Sequence, residues 1–445
     1  MDLAKSLFRG DKGIWTIFFF LCLISLVEVF SSSIALSGTQ GGIHWTPIMK
    51  HFMLLVFGVF IVLIIHNIPY KWFSWMVLIV PLSAVLLIIT MIWGDEKGGA
   101  SRWLFGFQPS EIAKISVIVS VAFILGRMKK TKEAKRQTFK FLFWGVASIC
   151  FLIMLDNLST ALLLFIVSLG MMLIGGIPFM RIAKSVLPIF ALGIGVYLMA
   201  PVFDSKPDLG ETIEQEKEKT TFEQIFNRVP TWRNRIDRFI DDVVHDKTPQ
   251  QYMGEDKNYQ PGYARIAIAR GGFSPKLPGN SYARNFLPEA NSDFIYAIII
   301  EDWGIAGGIF VIFLYIALLI RCGRLVQQCK KKFPALLLIG CSLIIFCQAM
   351  IHMLVCVQLM PVTGQPLPLI SKGGTSMWIT CAYVGIILSI SRTILPSEIE
   401  KNETFARKSE ENEYIQVDLD KNESEENPLM AVNDDVRKKR VYDDE

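Results

Sequence analysis

Ten apolar runs of about 20 residues divide this 445-residue chain, at 14–36, 48–67, 72–93, 109–127, 141–155, 158–175, 184–202, 293–320, 334–360 and 375–394. A helical run of that length crosses roughly 30 Å of hydrocarbon. A β-barrel would alternate apolar and polar residues instead of running solidly apolar. The fold class is therefore an all-α polytopic membrane protein, with about ten transmembrane helices and one large extracytoplasmic loop. The fifth and sixth runs meet at Asp156-Asn157. They read as two short spans, or as one long kinked helix well beyond the length of a single crossing.

Basic residues in short loops set the orientation. The segment 127–140 carries Arg127, Lys129, Lys130, Lys132, Lys135, Arg136 and Lys140 against a single acid, Glu133. Arg181 and Lys184 mark a second such loop, and Arg321, Arg324, Lys330, Lys331 and Lys332 a third. With ten alternating spans all three loops are cytoplasmic, as are both termini, and the polar segment 203–292 faces outward. Residues 1–13 are then a cytoplasmic N-terminus and 14–394 a transmembrane domain. Residues 395–445 form an acidic tail without apolar periodicity, expected to be disordered. The net charge of +4 conceals this split: 396–445 hold 16 acids and 8 bases, which leaves the remainder at about +12.

Several chemistries find no footing. The eight cysteines avoid the predicted outer loops, so no disulfide framework is expected. The five histidines form no ligand motif, and no phosphate-cradling Walker loop is present. No soluble domain of independent size interrupts the spans.

Carboxylates and cations collect on the outer side instead. Glu289 and Asp293 lie four residues apart where 203–292 enters the eighth span. They share one face if the helix starts early. Ionisable groups at the mouth of a span are costly to desolvate and are functional candidates by default. Pro109 and Glu111 read as a helix start. Lys114, one turn further on, reads as a snorkelling lysine or as the i,i+3 partner of Glu111. Asn157 to Thr160 can cap the sixth helix, and Asp156 either accompanies that cap or faces an outer cavity. Trp232, Ile236, Phe239 and Ile240 recur at helical spacing among Arg233, Arg235 and Arg238. This fits a helix lying flat at the interface, its arginines free to fork onto a phosphate. Gly262 to Gly272 reads as a short helix with a glycine stop, or as a re-entrant piece. The prolines and glycines of 361–374 forbid a helix there. Non-helical backbone at that depth must line a cavity or be buried in protein. Together these groups imply an outer-facing cavity for an amphipathic guest with an anionic head.

The motifs resemble the SEDS (FtsW/RodA) family. They are Gly99-Ala100-Ser101-Arg102-Trp103 with Gln108-Pro109-Ser110-Glu111-Ile112-Ala113-Lys114, then Leu287-Pro288-Glu289-Ala290 with Asp293-Phe294-Ile295, then Pro366-Leu367-Pro368-Leu369-Ile370-Ser371 with Gly373-Gly374. The ordered set spans about 14–394, and its details are more similar to the cell-division branch than to the elongation branch. The resemblance implies a peptidoglycan glycosyltransferase that polymerises lipid II at the outer leaflet during septal cell-wall synthesis. It implies a multi-pass protein of the bacterial inner membrane, working with a class B penicillin-binding protein and other divisome proteins, and without nucleic acid. It puts the catalytic aspartate on Asp293. Arg102, Trp103, Glu111, Lys114, Glu289, Arg233, Arg235, Ser371 and Lys372 become expected substrate-binding residues. A divalent cation, magnesium or manganese, is left open as a cofactor, and no metal ligands are assigned. A lipid II flippase and a non-catalytic divisome scaffold are the alternatives. The sequence departs from the family at Lys372, where an aromatic is usual, and at Leu155-Asp156-Asn157-Leu158-Ser159-Thr160, where Gln-Pro-Asp-Leu-Gly-Thr is usual.

Overall fold

The computed structural model describes residues 8–39, 46–96, 101–104, 106–203, 228–245, 259–287 and 289–394. The acidic tail lies outside the described residues, as does the Glu- and Lys-rich 208–223. The chain folds as α1 (Lys12–Thr39), α2 (Thr46–Asn67), a 3-10 turn (Tyr70–Leu78) running into α3 (Ile79–Trp93), α4 (Pro109–Arg127), α5 (Lys132–Asp156), α6 (Leu158–Ile174) and α7 (Phe179–Phe203). The outer segment supplies α8 (Arg228–His245) and α9 (Tyr259–Gly271). The chain then continues as α10 (Ile295–Gln328), α11 (Lys332–Cys356) and α12 (Gly374–Ile394). Each of the ten apolar runs overlaps a helix, although α5 begins at Lys132, well before the run at 141–155, and α10 extends to Gln328, well past the run at 293–320. Among the described residues, eight helices are long and apolar enough to cross a membrane by length and composition, and α6 is apolar but shorter. One feature departs from the all-helical expectation. Asp95–Glu96 and Ser101–Trp103 pair as a short antiparallel ribbon.

The fifth and sixth runs are two helices. Asn157 leaves the helical region (φ −151°, ψ 98°), and its side chain accepts from the Thr160 amide at 3.2 Å, capping α6. At the centre of the bundle lie α4, α11 and α12, the most buried spans. The outer helices turn large apolar side chains outward, such as Phe52, Phe57 and Phe60 on α2, Trp72 and Trp75 before α3, and Phe141 and Trp144 on α5. A water-soluble protein would not carry apolar surface on that scale, whereas lipid accommodates it.

The long helix α10 hides a break that hydropathy does not show. Gly304 sits at φ 71° and ψ −177°, a conformation essentially confined to glycine. The irregular segment 272–277 fills the gap. The Lys276 and Leu277 amides donate to the carbonyls of Glu301 and Asp302 at 3.1 and 2.9 Å, and the Ile305 amide donates to the Gly272 carbonyl at 2.9 Å. Backbone groups freed by the break thus find partners within the protein, as hydrocarbon requires. The fully buried Glu301 carboxylate gathers the Ser281 hydroxyl (2.5 Å), the Tyr282 and Ala283 amides (3.0 and 3.2 Å) and Arg270 Nε (3.2 Å). Arg284 donates to the Ser31 carbonyl on α1 at 2.8 Å, and burial lowers its guanidinium pKa below the ordinary value. The loop leading to Asp293 is therefore clamped onto the helix that follows it. Gly304→Ala would force a Cβ into this conformation about 3.1 Å from the Gly272 carbonyl. It is expected to cost roughly 1–3 kcal/mol of backbone strain. Thermal unfolding in detergent should show a lower midpoint than wild type.

Candidate functional site at the mouth of α10

Asp293 lies two residues before α10, in a hydrogen-bonded turn where its amide donates to the Glu289 carbonyl at 3.0 Å. The helix does not start early enough to put Glu289 and Asp293 on one helical face. Glu289 takes a left-handed conformation (φ 57°) and is exposed, whereas Asp293 is half-buried. The Ser292 hydroxyl donates to Asp293 Oδ1 at 3.0 Å. The other oxygen, Oδ2, faces Gly364, where an added Cβ would lie 3.4 Å from it.

The 361–373 segment is non-helical, as its prolines require, and packs directly against this turn. The Ser371 hydroxyl is the pin between them. It donates to the Ser292 carbonyl at 2.7 Å and accepts from the Leu367 amide at 2.8 Å. The Lys372 amide donates to the Asn291 carbonyl at 2.8 Å. Leu369 is left-handed (φ 66°), and the carbonyls on either side of it are held by α10 and α1: Pro368 accepts from the Tyr315 hydroxyl and Ile370 from the Ser25 hydroxyl. From α11, His352 Nδ1 donates to the Gln365 carbonyl at 2.7 Å. The Gln365 amide donates onward to Thr160 Oγ1 at 2.6 Å, tying the segment to the cap of α6.

Glu111 and Lys114 lie beneath this segment. They form an ion pair of 2.8 Å, and both side chains are almost fully buried. Lys114 therefore does not snorkel. It also donates to Gln348 Oε1 at 3.4 Å, and Gln348 passes the connection to the Pro366 carbonyl at 3.0 Å. Both residues were expected among the substrate-binding set. The structure commits them to each other and to the loop, because a charge at that depth needs a partner. Ser371 is likewise buried, with its hydroxyl used on both sides by backbone. All three position the crevice in this structure, and their reach to a ligand would go through the loop they hold. Trp103 is half-exposed on the short ribbon, and the side chain of Arg102 lies outside the described residues.

The outer helices close the crevice. The side of α8 that carries Trp232, Ile236 and Phe239 meets protein at the 360–363 segment. Trp232, Arg235 and Ile236 face Asp156, Asn157 and Thr363 across a chamber of about 70 Å³. Asp156 thus ends α5 at a cavity wall while Asn157 does the capping. Arg233 turns aside into an i,i+4 ion pair with Asp237 at 3.1 Å. Arg235 donates to the Val362 carbonyl at 3.4 Å. On the far side of that carbonyl a second cavity of about 210 Å³ is lined by Arg235, Arg238, Arg265, Asp242, Gln260 and Gln358. Arg238 was expected with Arg233 and Arg235 as a phosphate-forking arginine, whereas Arg265 was not expected in the site. Arg238 carried a signal through its spacing, whereas Arg265 sits in an ordinary helix that resolves the 262–272 stretch as α9 with a stop at Gly272. An open apolar groove of about 740 Å³ lies between α2 and α12, with Met49, Met53, Leu54 and Trp378 on its walls and Lys50 among them.

No group of three or more His, Cys, Asp or Glu side chains converges to hold a metal ion among the described residues.

Gly364 is left-handed at φ 66° and abuts the carboxylate. Gly364→Ala should strain the backbone by roughly 1–2 kcal/mol and crowd Asp293 Oδ2. Turnover is expected to fall more than thermal stability does, which a rate assay and an unfolding scan on the same preparation would separate.

The bundle, in which eight helices among the described residues are long and apolar enough to cross a membrane, sets a half-buried carboxylate in a polar crevice and carries an apolar groove between α2 and α12. The family model of the FtsW/RodA/SpoVE cell cycle proteins matches residues 11–394, and the chain belongs to that family. It is 27% identical over 405 residues to a protein of Marinobacter nauticus named probable peptidoglycan glycosyltransferase FtsW, covering 86% of this chain and 91% of that protein. It is 28% identical over 404 residues to the protein of the same name from Hahella chejuensis, covering 86% and 90%. Among solved structures, the fold is similar to a chain from a study of polymerization and crosslinking by a peptidoglycan synthase complex, with a TM-score of 0.64, 19% identity, and 87% and 99% of the two chains covered. It is also similar to the rod shape determining protein RodA of Thermus thermophilus, with a TM-score of 0.57, 18% identity, and 87% and 98% covered.

Proposed function

We propose that this chain is a peptidoglycan glycosyltransferase that polymerises lipid II at the outer leaflet during septal wall synthesis. The observation that carries the reading is Asp293. It is the half-buried carboxylate held at the mouth of α10 by Ser292 and the 361–373 segment, in a chain of this family. Asp293 takes the proton from the C4 hydroxyl of the acceptor sugar. That oxygen forms a bond to the anomeric carbon of the donor. The bond from that carbon to the phosphate oxygen breaks, and the lipid diphosphate leaves with the electron pair. A single displacement inverts the anomeric centre. Positioned cations offset the charge that grows on the leaving diphosphate, and Lys372 and the arginines around Arg235 are the groups at hand.

The groove between α2 and α12 suits a polyprenyl tail. The basic loops 127–140, 181–184 and 321–332 support an outward-facing crevice, and a class B penicillin-binding protein would crosslink the strand that emerges. The test uses purified chain with that partner in vesicles loaded with fluorescent lipid II. Glycan strands as product support the reading. Lipid movement across the bilayer without strands would replace it with transport, and neither outcome with or without partner would leave a scaffold.

A further inference from the structure

A histidine and a cysteine of α11 reach the main chain of the Asp293 turn. His352 and Cys356 stand four residues apart at the end of that helix, the spacing at which helical side chains meet, and both are buried. His352 Nδ1 gives its hydrogen to the Gln365 carbonyl at 2.7 Å. A neutral imidazole then presents Nε2 as an acceptor. Nε2 lies 3.5 Å from the Cys356 sulfur. The same thiol donates to the Asp293 carbonyl at 3.7 Å. The sulfur also faces the Tyr296 and Ala297 amides. Those amides belong to the first turn of α10, whose N-cap residue, Phe294, offers no side-chain hydrogen bond. A side chain of α11 thus meets the start of α10 from outside, at the residue proposed as the base.

We infer that Cys356 is a positioning residue for Asp293, with His352 orienting its thiol. The inference rests on the reading of Asp293 as general base and adds the group that fixes its main chain. The thiol carries one hydrogen, with an acceptor on either side of it. Held between Nε2 and the Asp293 carbonyl, it has little freedom to turn. One chain of contacts then runs from Thr160 at the start of α6 through Gln365, His352 and Cys356 to Asp293. The contact is with the Asp293 main chain and the thiol is buried, so Cys356 acts through the base and not on substrate. A thiol is a weak donor, and its loss should scarcely change stability. Rate is more sensitive, because a small misplacement of a reacting group lowers turnover steeply.

The test compares full-length wild type with Cys356→Ala, Cys356→Val, Cys356→Ser, His352→Asn and Asp293→Asn in the vesicle assay, with initial rates taken against lipid II concentration. Valine fills the space of the sulfur but cannot donate, whereas serine donates from a smaller atom. Alanine and valine should lower kcat roughly tenfold while KM stays within about twofold, and serine should retain more activity than either. Packing alone would rank valine above serine, and that order would overturn the inference. Should the alanine variant fail to fold, the valine and serine variants still decide. The second readout is the infrared S–H stretch. Subtracting the Cys356→Ser spectrum from wild type isolates this thiol among the eight cysteines. The band should lie below the frequency of a free thiol. His352→Asn retains a donor for the Gln365 carbonyl but removes Nε2, so it should move the band, and Asp293→Asn should leave it in place. A band at the free-thiol frequency would overturn the inference whatever the rates. Cys356→Val at wild-type kcat beside an inactive Asp293→Asn would remove the positioning role and leave Asp293 as the base. An active Asp293→Asn would remove the base, and the positioning role with it, even where the band shows a donating thiol.

Discussion

Asp293→Asn is expected to lower lipid II polymerisation by roughly 10²–10⁴-fold, the range that a positioned general base contributes. Asparagine keeps the size of the side chain and can still accept from the Ser292 hydroxyl that now reaches Oδ1 at 3.0 Å. It cannot take a proton from an incoming hydroxyl. The main-chain bonds that hold the turn are backbone or come from Ser371, so the variant should fold and unfold as wild type does. The decisive comparison is kcat against thermal midpoint on one preparation. A large fall in kcat with an unchanged midpoint is the expected pattern. Strand synthesis at the wild-type rate would remove Asp293 from the chemistry, and with it the mechanism proposed above.

Lys114→Met is expected to have the largest effect on stability. Glu111 and Lys114 are paired at 2.8 Å with almost no exposure. Removing the ammonium leaves a carboxylate buried without its counter-ion, which costs about 3–5 kcal/mol. The double variant Glu111→Gln/Lys114→Met removes both charges and should recover a good part of that loss, since a buried pair contributes little net stability over neutral groups that pack well. Unfolding midpoints of the two single variants and the double variant complete the cycle. If the double variant is as unstable as Lys114→Met, the pairing is not what holds the two residues. Activity should suffer in every member of the cycle, because Lys114 also reaches Gln348, which holds the Pro366 carbonyl of the segment beside Asp293.

Much of the bundle is legible in one dimension. Spans, their order and the polar gap between the seventh and eighth follow from apolar run length, which is a local property of the chain. The start of α4 at Pro109 and the cap at Asn157 are local as well, since each depends on a side chain and an amide a few residues away. The break in α10 is not local. Glu301-Asp302-Trp303-Gly304 sits inside an apolar run, and nothing nearby says that 272–277 will supply the missing backbone partners. Ser371 looked like a residue that a substrate would meet. Its hydroxyl is instead spent on Ser292 and Leu367, an allocation visible only after folding. Glu289 drew notice by its four-residue spacing to Asp293, yet its left-handed φ takes it off any shared helical face.

The amino-acid order by itself determined that this chain crosses a membrane many times, which loops carry the positive charge, and that carboxylates gather beside the eighth span. Those properties depend on neighbours within one or two helical turns. Only the tertiary structure decided which of the gathered groups remain near open space. Lys114 and Glu111 are consumed by each other, Arg233 is drawn to Asp237, and Arg238 joins Arg265 from another helix at a cavity wall. The physical reason is that a buried charge takes the partner that packing brings within reach, and packing joins residues that sequence separation keeps apart.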